Sequence, residues 1–246
     1  MNCLPREIES SASCRPPCDK CFPDYPLGQA LTRKLRDLAT SFLDADGGCH
    51  GIDHSERVHA TSLAIGREMG AKLEVLSAAA LLHDIGRRDE HASKGKICHA
   101  VRGAELAAGL LAANAFHPGE ISEICHCIAT HRFRDNTPPL SLEARILFDA
   151  DKLDSIGAIG IGRAFLFAGQ VGARLHNTEA DVTETSPYTV EDTAYREFMV
   201  KLIRIRERML TPPGRKMADE RHDFMVEFFA RLEMEINGGE PDARKS

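Results

Sequence analysis

From Leu27 onward, apolar residues recur at three- and four-residue steps almost without interruption, a period that predicts successive helices and no strands. Leu27 to Leu43 follows this period and stops at Asp46-Gly47-Gly48. A second helix starts near Asp53. Val58, Ser62, Ile65 and Met69 form its inward stripe, His54 lies one turn earlier on that stripe, and His59 falls off it, toward the surface. A third runs from about Leu73 to Asp84. There Leu76, Ala80 and His83 line up, Asp84 sits beside them on the Leu73–Ser77–Ala80 row, and Gly86 is expected to end the helix. A charged loop, Arg87 to Lys96, leads into a helix rich in small residues from about Ile97 to Ala113, with His99 in its first turn. Pro118-Gly119-Glu120 opens the next helix, whose Ile121–Ile124–Ile128 stripe continues to His131 while His126 turns to the polar side. After Pro138-Pro139, a helix from about Ser141 to Asp154 carries Asp151 on the row of Ala144, Leu147 and Phe148, and Asp149 on the row of Leu142, Ile146 and Leu153. Gly157, Gly160 and Gly162 mark an expected close helix contact. Residues 172–193 are polar and aperiodic, read as a lid or a disordered insertion. Two amphipathic helices close the chain, one through Tyr195, Phe198, Leu202 and Met209, the other through Met217, Phe224, Met225, Phe228 and Leu232. The expected fold class is all-α, a bundle of about eight helices over residues 25–238.

Composition supports this picture and narrows the partners. A chain of 246 residues fits one domain, and 6% aromatic residues with no Trp favour helix over strand. The net charge of −6 provides no global positive field for nucleic acid or phosphate, so an anionic substrate would need local arginines or a metal. Met1 to Pro17 has neither the apolar run nor the basic start of a signal peptide. The longest candidate membrane stretch, Ile156 to Gly169, is broken by Arg163. A cytoplasmic protein with no membrane partner is expected, its eight cysteines mostly reduced. Residues 1–24 are rich in Ser, Pro and Cys and are read as an extension outside the core, and 239–246 as a flexible tail. Cys14, Cys18 and Cys21, with Cys3 as a fourth thiolate, either form a zinc or iron–sulfur knuckle or are free thiols on that extension.

Three predicted helices thus each place a ligand-type group on an inward row: His54, the His83–Asp84 pair, and Asp151 or Asp149. A buried histidine alone is ordinarily a hydrogen-bonded core residue, and a buried aspartate a cap or an ion-pair partner. Together they offer two nitrogens, two oxygens and two negative charges, and no thiolate. That set suits one six-coordinate divalent ion (Mn²⁺, Fe²⁺, Co²⁺, Ni²⁺ or Mg²⁺) with positions left for water and substrate. Arg132, Arg134, Lys152 and Arg163 lie near these residues in sequence and could clamp phosphate oxygens or serve as surface ion pairs. Cys125-His126-Cys127 alternates around its helix and cannot converge.

The blocks Asp53-His54-Ser55-Glu56-Arg57-Val58, Leu81-Leu82-His83-Asp84-Ile85-Gly86 and Asp149-Ala150-Asp151-Lys152-Leu153-Asp154 together resemble the HD-domain metal-dependent phosphohydrolase superfamily. His99-Ala100-Val101-Arg102-Gly103-Ala104-Glu105 and Thr130-His131-Arg132-Phe133 resemble its uncharacterised and nucleotide-pyrophosphohydrolase-like bacterial branches, and the similarity spans residues 27 to 235 or so. The resemblance implies an HD-domain helical bundle with His54, His83, Asp84 and Asp151 as metal ligands, deciding for Asp151 over Asp149, and with His83 and Asp84 as the catalytic pair. It implies hydrolysis of a phosphate ester or anhydride in a nucleotide or small phosphorylated metabolite, pyrophosphohydrolysis of a nucleoside triphosphate being the narrowest expectation. Arg132, Lys152, His99, His131 and Arg163 would then bind substrate. In some branches extra histidines, here His99 and His131, bring a second ion, for two-metal hydrolysis or for oxygen chemistry at a di-iron centre. One feature departs from the pattern. Members that cleave alarmones or deoxynucleotides carry an acidic residue soon after the His-Asp pair, whereas here Arg87 and Arg88 follow Gly86 and Asp89 and Glu90 come later, so the general base stays open. The rivals are a non-catalytic nucleotide-sensing module and a di-iron oxygenase. A nuclease is disfavoured by the acidic charge and the lack of a basic–aromatic stripe.

Overall fold

The computed structural model describes residues 26–43, 51–132 and 137–239. Outside them lie the extension 1–24 with its cysteines, the Asp46-Gly47-Gly48 stop, Arg134, and all of the tail but Gly239. The described residues form α1 (Gln29–Phe42), α2 (Ile52–Met69), α3 (Leu73–Leu82), α4 (Arg87–Ala92), α5 (His99–Ala112), α6 (Pro118–Thr130), α7 (Leu142–Leu153), α8 (Gly157–Gln170), α9 (Ala194–Val200) and α10 (Pro212–Ile236). Turns of 3₁₀ helix occur at Val182–Glu184 and Leu202–Arg208, and no strand occurs among the described residues. The all-α bundle is as expected.

α3 is the hub. Every residue from Val75 to Leu82 is buried, and the helix packs against α1, α2, α6 and α7. Its alanines at 78, 79 and 80 let those neighbours approach closely. One core gathers Leu35, Val58, Leu81, Ile85, Leu111, Ile128 and Leu147; the other gathers Ile65, Leu76, Ile146, Leu153, Phe198, Met225 and Phe229. α2 and α7 contribute to both. Local chemistry sets the helix ends. Ser141 accepts from the Ala144 amide (3.1 Å) to start α7, Thr211 accepts from Gly214 (3.1 Å) ahead of Pro212 and Pro213 to start α10, and Gly70 closes α2 in the left-handed region at φ 68°.

Several positions depart from the pattern reading. His59 is buried, bonded to Ser77 Oγ at 2.8 Å, because α2 is packed on more than one face. The Arg87–Lys96 stretch is not all loop, since α4 occupies its first half. α3 ends at Leu82, and Gly86 has an ordinary φ of −86°; its real function is clearance, because a Cβ there would collide with the His99 carbonyl and the Gly103 amide of α5. Gly160 likewise meets the Ser155 carbonyl, but Gly162 faces open space. The helix expected from Tyr195 to Met209 breaks at Lys201 (φ −137°, ψ −57°) and continues as 3₁₀ turn. Phe224 is off the inward face of α10 and 47% exposed. Residues 172–193 are an ordered cap rather than a disordered insertion. The Asn177 amide donates to the Glu191 carbonyl (2.9 Å), Thr193 Oγ1 donates to Asn177, and Arg196 donates to Thr185 Oγ1 (2.7 Å) and Asp192 (2.9 Å).

Asp149 is a clasp between α7 and α10. Its buried carboxylate accepts from the amides of Leu210 and Thr211 (both 2.8 Å) and from Thr211 Oγ1 (2.7 Å), and a Cβ at Gly214 would collide with it. Asp149→Ala orphans these donors at about 1–3 kcal/mol for each that stays buried. Its Tm is expected to fall by several degrees; an unchanged melting curve would refute the clasp. The second expectation concerns acid. Burial, helped by the Arg67 charge, pushes the His59 imidazole down to about 4, so the folded state favours the neutral ring. The stability this gives is complete above the unfolded value of about 6.5 and is lost as pH falls from there toward 4. Thermal melts of His59→Gln should therefore lose less stability than wild type over that interval, and parallel acid limbs would contradict the assignment.

Candidate metal centre

The inward rows of five helices end at one place. His54 lies in the first turn of α2, His83 and Asp84 just past the end of α3, His99 at the start of α5, His131 just past α6, and Asp151 in the last turn of α7. All are buried. At the C-terminal end of a helix the last carbonyls lack an amide partner, and two of these histidines use that. His83 Nδ1 donates to the Ala80 carbonyl (2.8 Å), and His131 Nδ1 donates to the Ile128 carbonyl (2.7 Å), each three residues back. The other two find carboxylates: His54 Nδ1 donates to Asp154 Oδ2 and His99 Nδ1 to Glu90 Oε2, both at 2.7 Å. Because these oxygens only accept, the proton of each ring is placed on Nδ1 and Nε2 carries a lone pair.

The four Nε2 atoms converge on Asp84. Those of His54 and His83 each stand 3.6 Å from its Oδ2 and 3.2 Å from each other; those of His99 and His131 stand 3.4 and 3.6 Å from its Oδ1 and 3.1 Å from each other. Asp151 Oδ1 completes the first set at 3.4 Å from His54 Nε2 and 4.0 Å from His83 Nε2. His54, His83 and Asp151, and separately His83, Asp84 and His131, are spaced to share an ion.

Charge is balanced by named partners. Arg87 Nε pairs with Asp84 Oδ2, and Lys152 Nζ with Asp151 Oδ2 at 2.7 Å. Burial opposes ionisation of Asp151, but Lys152 and His54 hold it well below the usual carboxylate range. Burial also works against charge on His54, yet the carboxylates of Asp151 and Asp154 raise it to about 9, so a proton and a divalent cation are alternatives for the same lone pair. His99 goes the other way, pushed to about 4 by burial and the Arg87 charge.

The structure brings together His54, His83, Asp84, Asp151, His99 and His131. It turns Asp149 away, toward Leu210 and Thr211. Lys152 borders the cluster. Arg132 Nη1 pairs with Glu90 Oε1 (2.6 Å), and Arg163 Nη1 reaches Asp154 Oδ2 (2.7 Å), on the Nδ1 side of His54. Sequence reasoning missed Asp154 and Glu90, which fix two ring orientations, and Arg57, whose Nε donates to Asp154 Oδ1 at 2.6 Å. Asp154 and Arg57 lie within the segments that carry the family resemblance, and Glu90 stood out there only as an acidic residue some way after the His-Asp pair.

Comparison with known proteins agrees with this geometry. The HD domain family matches residues 51–156. The uncharacterised protein YpgQ of Bacillus subtilis (strain 168) is 33% identical over 209 residues, covering 83% of this chain and 93% of YpgQ. A crystal structure of YpgQ in complex with ADP superposes with a TM-score of 0.65 at 29% identity, over 84% of this chain and 95% of that one. An HD-superfamily hydrolase from Bacillus thuringiensis gives a TM-score of 0.66 at 25% identity, over 85% and 98%. Ribonuclease Y of Chloroflexus aurantiacus is 32% identical over 106 residues, which is 43% of this chain but 18% of that enzyme. With its His-Asp pair at the meeting point of five helices and near-complete coverage of YpgQ, this chain belongs to the HD-domain superfamily.

Proposed function

We propose that the chain is a metal-dependent phosphohydrolase acting on a nucleotide or a related small phosphorylated metabolite, with His54, His83, Asp84 and Asp151 as the ligands of one divalent cation. The observation that carries this is the convergence of imidazole lone pairs on two buried carboxylates, with every Nδ1 already committed elsewhere. Nitrogen and oxygen donors without thiolate fit Mn²⁺, Fe²⁺, Co²⁺, Ni²⁺ or Mg²⁺. A bound cation of this kind acidifies water and neutralises charge on phosphoryl oxygens. The chain supplies the rest. Arg87 pairs with Asp84 and Lys152 with Asp151, and both cations would lend positive charge to an arriving phosphate. Arg132 steadies Glu90 and through it His99, so its contribution to substrate binding is partly one of positioning.

A second ion is favoured by a separate observation: His99 and His131 face the other oxygen of Asp84 at nearly the same spacing as the first pair. Two-metal hydrolysis and the di-iron oxygenase alternative both require that second position. The ADP bound to YpgQ supports a nucleoside phosphate as ligand here, and a nucleotide substrate would place the protein in the cytoplasm. Pyrophosphohydrolysis of a nucleoside triphosphate is the narrowest form of the proposal. RNA is not favoured, because the match to ribonuclease Y is short and the chain carries −6.

Elemental analysis and a nucleotide panel on Mn²⁺-loaded protein test this. One or two ions per chain are expected, with metal-dependent release of phosphate or pyrophosphate. His83→Ala and Asp151→Ala should lose bound metal and at least ~10²-fold in turnover, whereas Asp149→Ala should keep its metal per folded molecule. Nucleotide binding without turnover would favour the sensing module, oxygen consumption by the iron form would favour the oxygenase, and a protein that retains no metal would end the account.

A further inference from the structure

The end of α7 holds the His54 ring by both edges. Asp151 lies in the last turn of that helix and Asp154 is the residue that caps it, so their carboxylates, one turn apart, face the same side. Asp154 Oδ2 accepts from His54 Nδ1 at 2.7 Å, and Asp151 Oδ1 stands 3.4 Å from His54 Nε2. A ligand-type group on α2 and another on α7 are thus brought into register by a single turn.

That turn is gripped from three helices. From α2, Arg57 donates Nε to Asp154 Oδ1 (2.6 Å) and Nη2 to Oδ2 (3.1 Å). From α8, Arg163 donates Nη1 to Asp154 Oδ2 (2.7 Å) and to the Asp154 carbonyl (3.1 Å). From α10, Arg221 donates to the Leu153 carbonyl. The C-terminal end of a helix has carbonyls without amide partners and a partial negative charge, which accounts for guanidinium groups on these carbonyls. It does not account for the ring. Two arginines already face the Asp154 carboxylate, so ion pairing has no need of His54 as a further donor. Asp154 is 4% exposed, so water competes little for the Nδ1 proton.

We propose that Asp154 is a positioning residue for the metal centre: held by Arg57 and Arg163, it keeps a proton on His54 Nδ1 and so leaves Nε2 as the nitrogen that meets a cation beside Asp84 and Asp151. The inference rests on the metal-centre reading and deepens it, because it names the residue that aims one of the four ligands. Asparagine at 154 reverses the arrangement. With Arg57 and Arg163 donating to its one oxygen, the amide NH₂ is the group left to face Nδ1. A donor there disfavours Nδ1–H, so the last proton of the ring goes to Nε2 and blocks the cation.

Asp154→Asn is compared with Asp149→Asn, which alters a carboxylate of the same helix that faces α10 instead. Mn²⁺ titration of the full chain, read per folded molecule, is expected to show affinity weakened about 10–100-fold in the first variant and unchanged in the second. Proton NMR of the nitrogen-15-histidine chain before metal is added reads the ring directly. The hydrogen-bonded Nδ1 proton of His54 should be present in wild type and in Asp149→Asn, and absent in Asp154→Asn. Asp154→Glu covers the case in which asparagine does not fold. It keeps the charge that the arginines face but lengthens the arm by one methylene, so it too should weaken Mn²⁺ binding. Equal Mn²⁺ affinity in the two asparagine variants, wild-type affinity in Asp154→Glu, or an Nδ1 proton that survives in Asp154→Asn would overturn the assignment. A wild-type chain that binds no Mn²⁺ yet loses the Nδ1 signal in Asp154→Asn would reject the metal reading and keep Asp154 as the holder of His54, so the two failures are distinguishable.

Discussion

Four buried imidazoles each donate from Nδ1 to an oxygen outside the cluster. That constraint organises the centre. With Nδ1 committed to Ala80, Ile128, Asp154 or Glu90, the remaining nitrogen of every ring has to turn toward Asp84. Two of the acceptors are last-turn carbonyls of α3 and α6, groups that any helix end must satisfy. Ending those helices and building the site are therefore one event. The other two acceptors are carboxylates and need cations of their own, which Arg57 and Arg163 supply to Asp154 and Arg132 to Glu90. Orientation at the centre thus depends on residues that never face it.

Helix spacing imposes the second condition. His99 reaches Asp84 because the turn after α3 presses against the start of α5, and only glycine at 86 permits that approach. α7 solves a related problem with two carboxylates two residues apart. At 100° per residue, Asp149 and Asp151 point in nearly opposite directions. One is spent on the N-terminus of α10 and the other on the cluster, so a single helix ties the second core to the site.

Helical phase made much of this legible from the sequence. His54, His83, Asp84, His131 and Asp151 all lie on inward rows, and all are buried where the rows meet. Phase fails where its premise fails. His59 is off the stripe yet buried, because α2 is enclosed on several sides rather than lying on a surface. Asp149 and Asp151 both fit apolar rows, and only the Thr211 donors sixty-odd residues away separate them. Glu90 sits in a run of charges that has no period, and its meaning comes from His99 and Arg132. The 172–193 cap was illegible for the same reason. Its order rests on bonds such as Asn177 to Glu191 and Arg196 to Thr185, between polar residues that no periodicity relates.

On the proposed reading, local charge lets an acidic chain serve an anionic substrate. The overall balance of −6 argues against attraction at a distance, but only the local sum acts inside a buried cluster, where screening is weak. Asp84 and Asp151 bring two negative charges there, and Arg87 and Lys152 bring two positive ones in direct contact. The set is close to neutral before any ion arrives. On the proposed reading, a divalent cation among the imidazoles then leaves a surplus of two positive charges at the carboxylate edge where Lys152 stands. The arginines that follow Gly86, which separate this chain from relatives with an acidic residue soon after the pair, contribute to that surplus through Arg87. An acidic group at the same position would cancel part of that surplus.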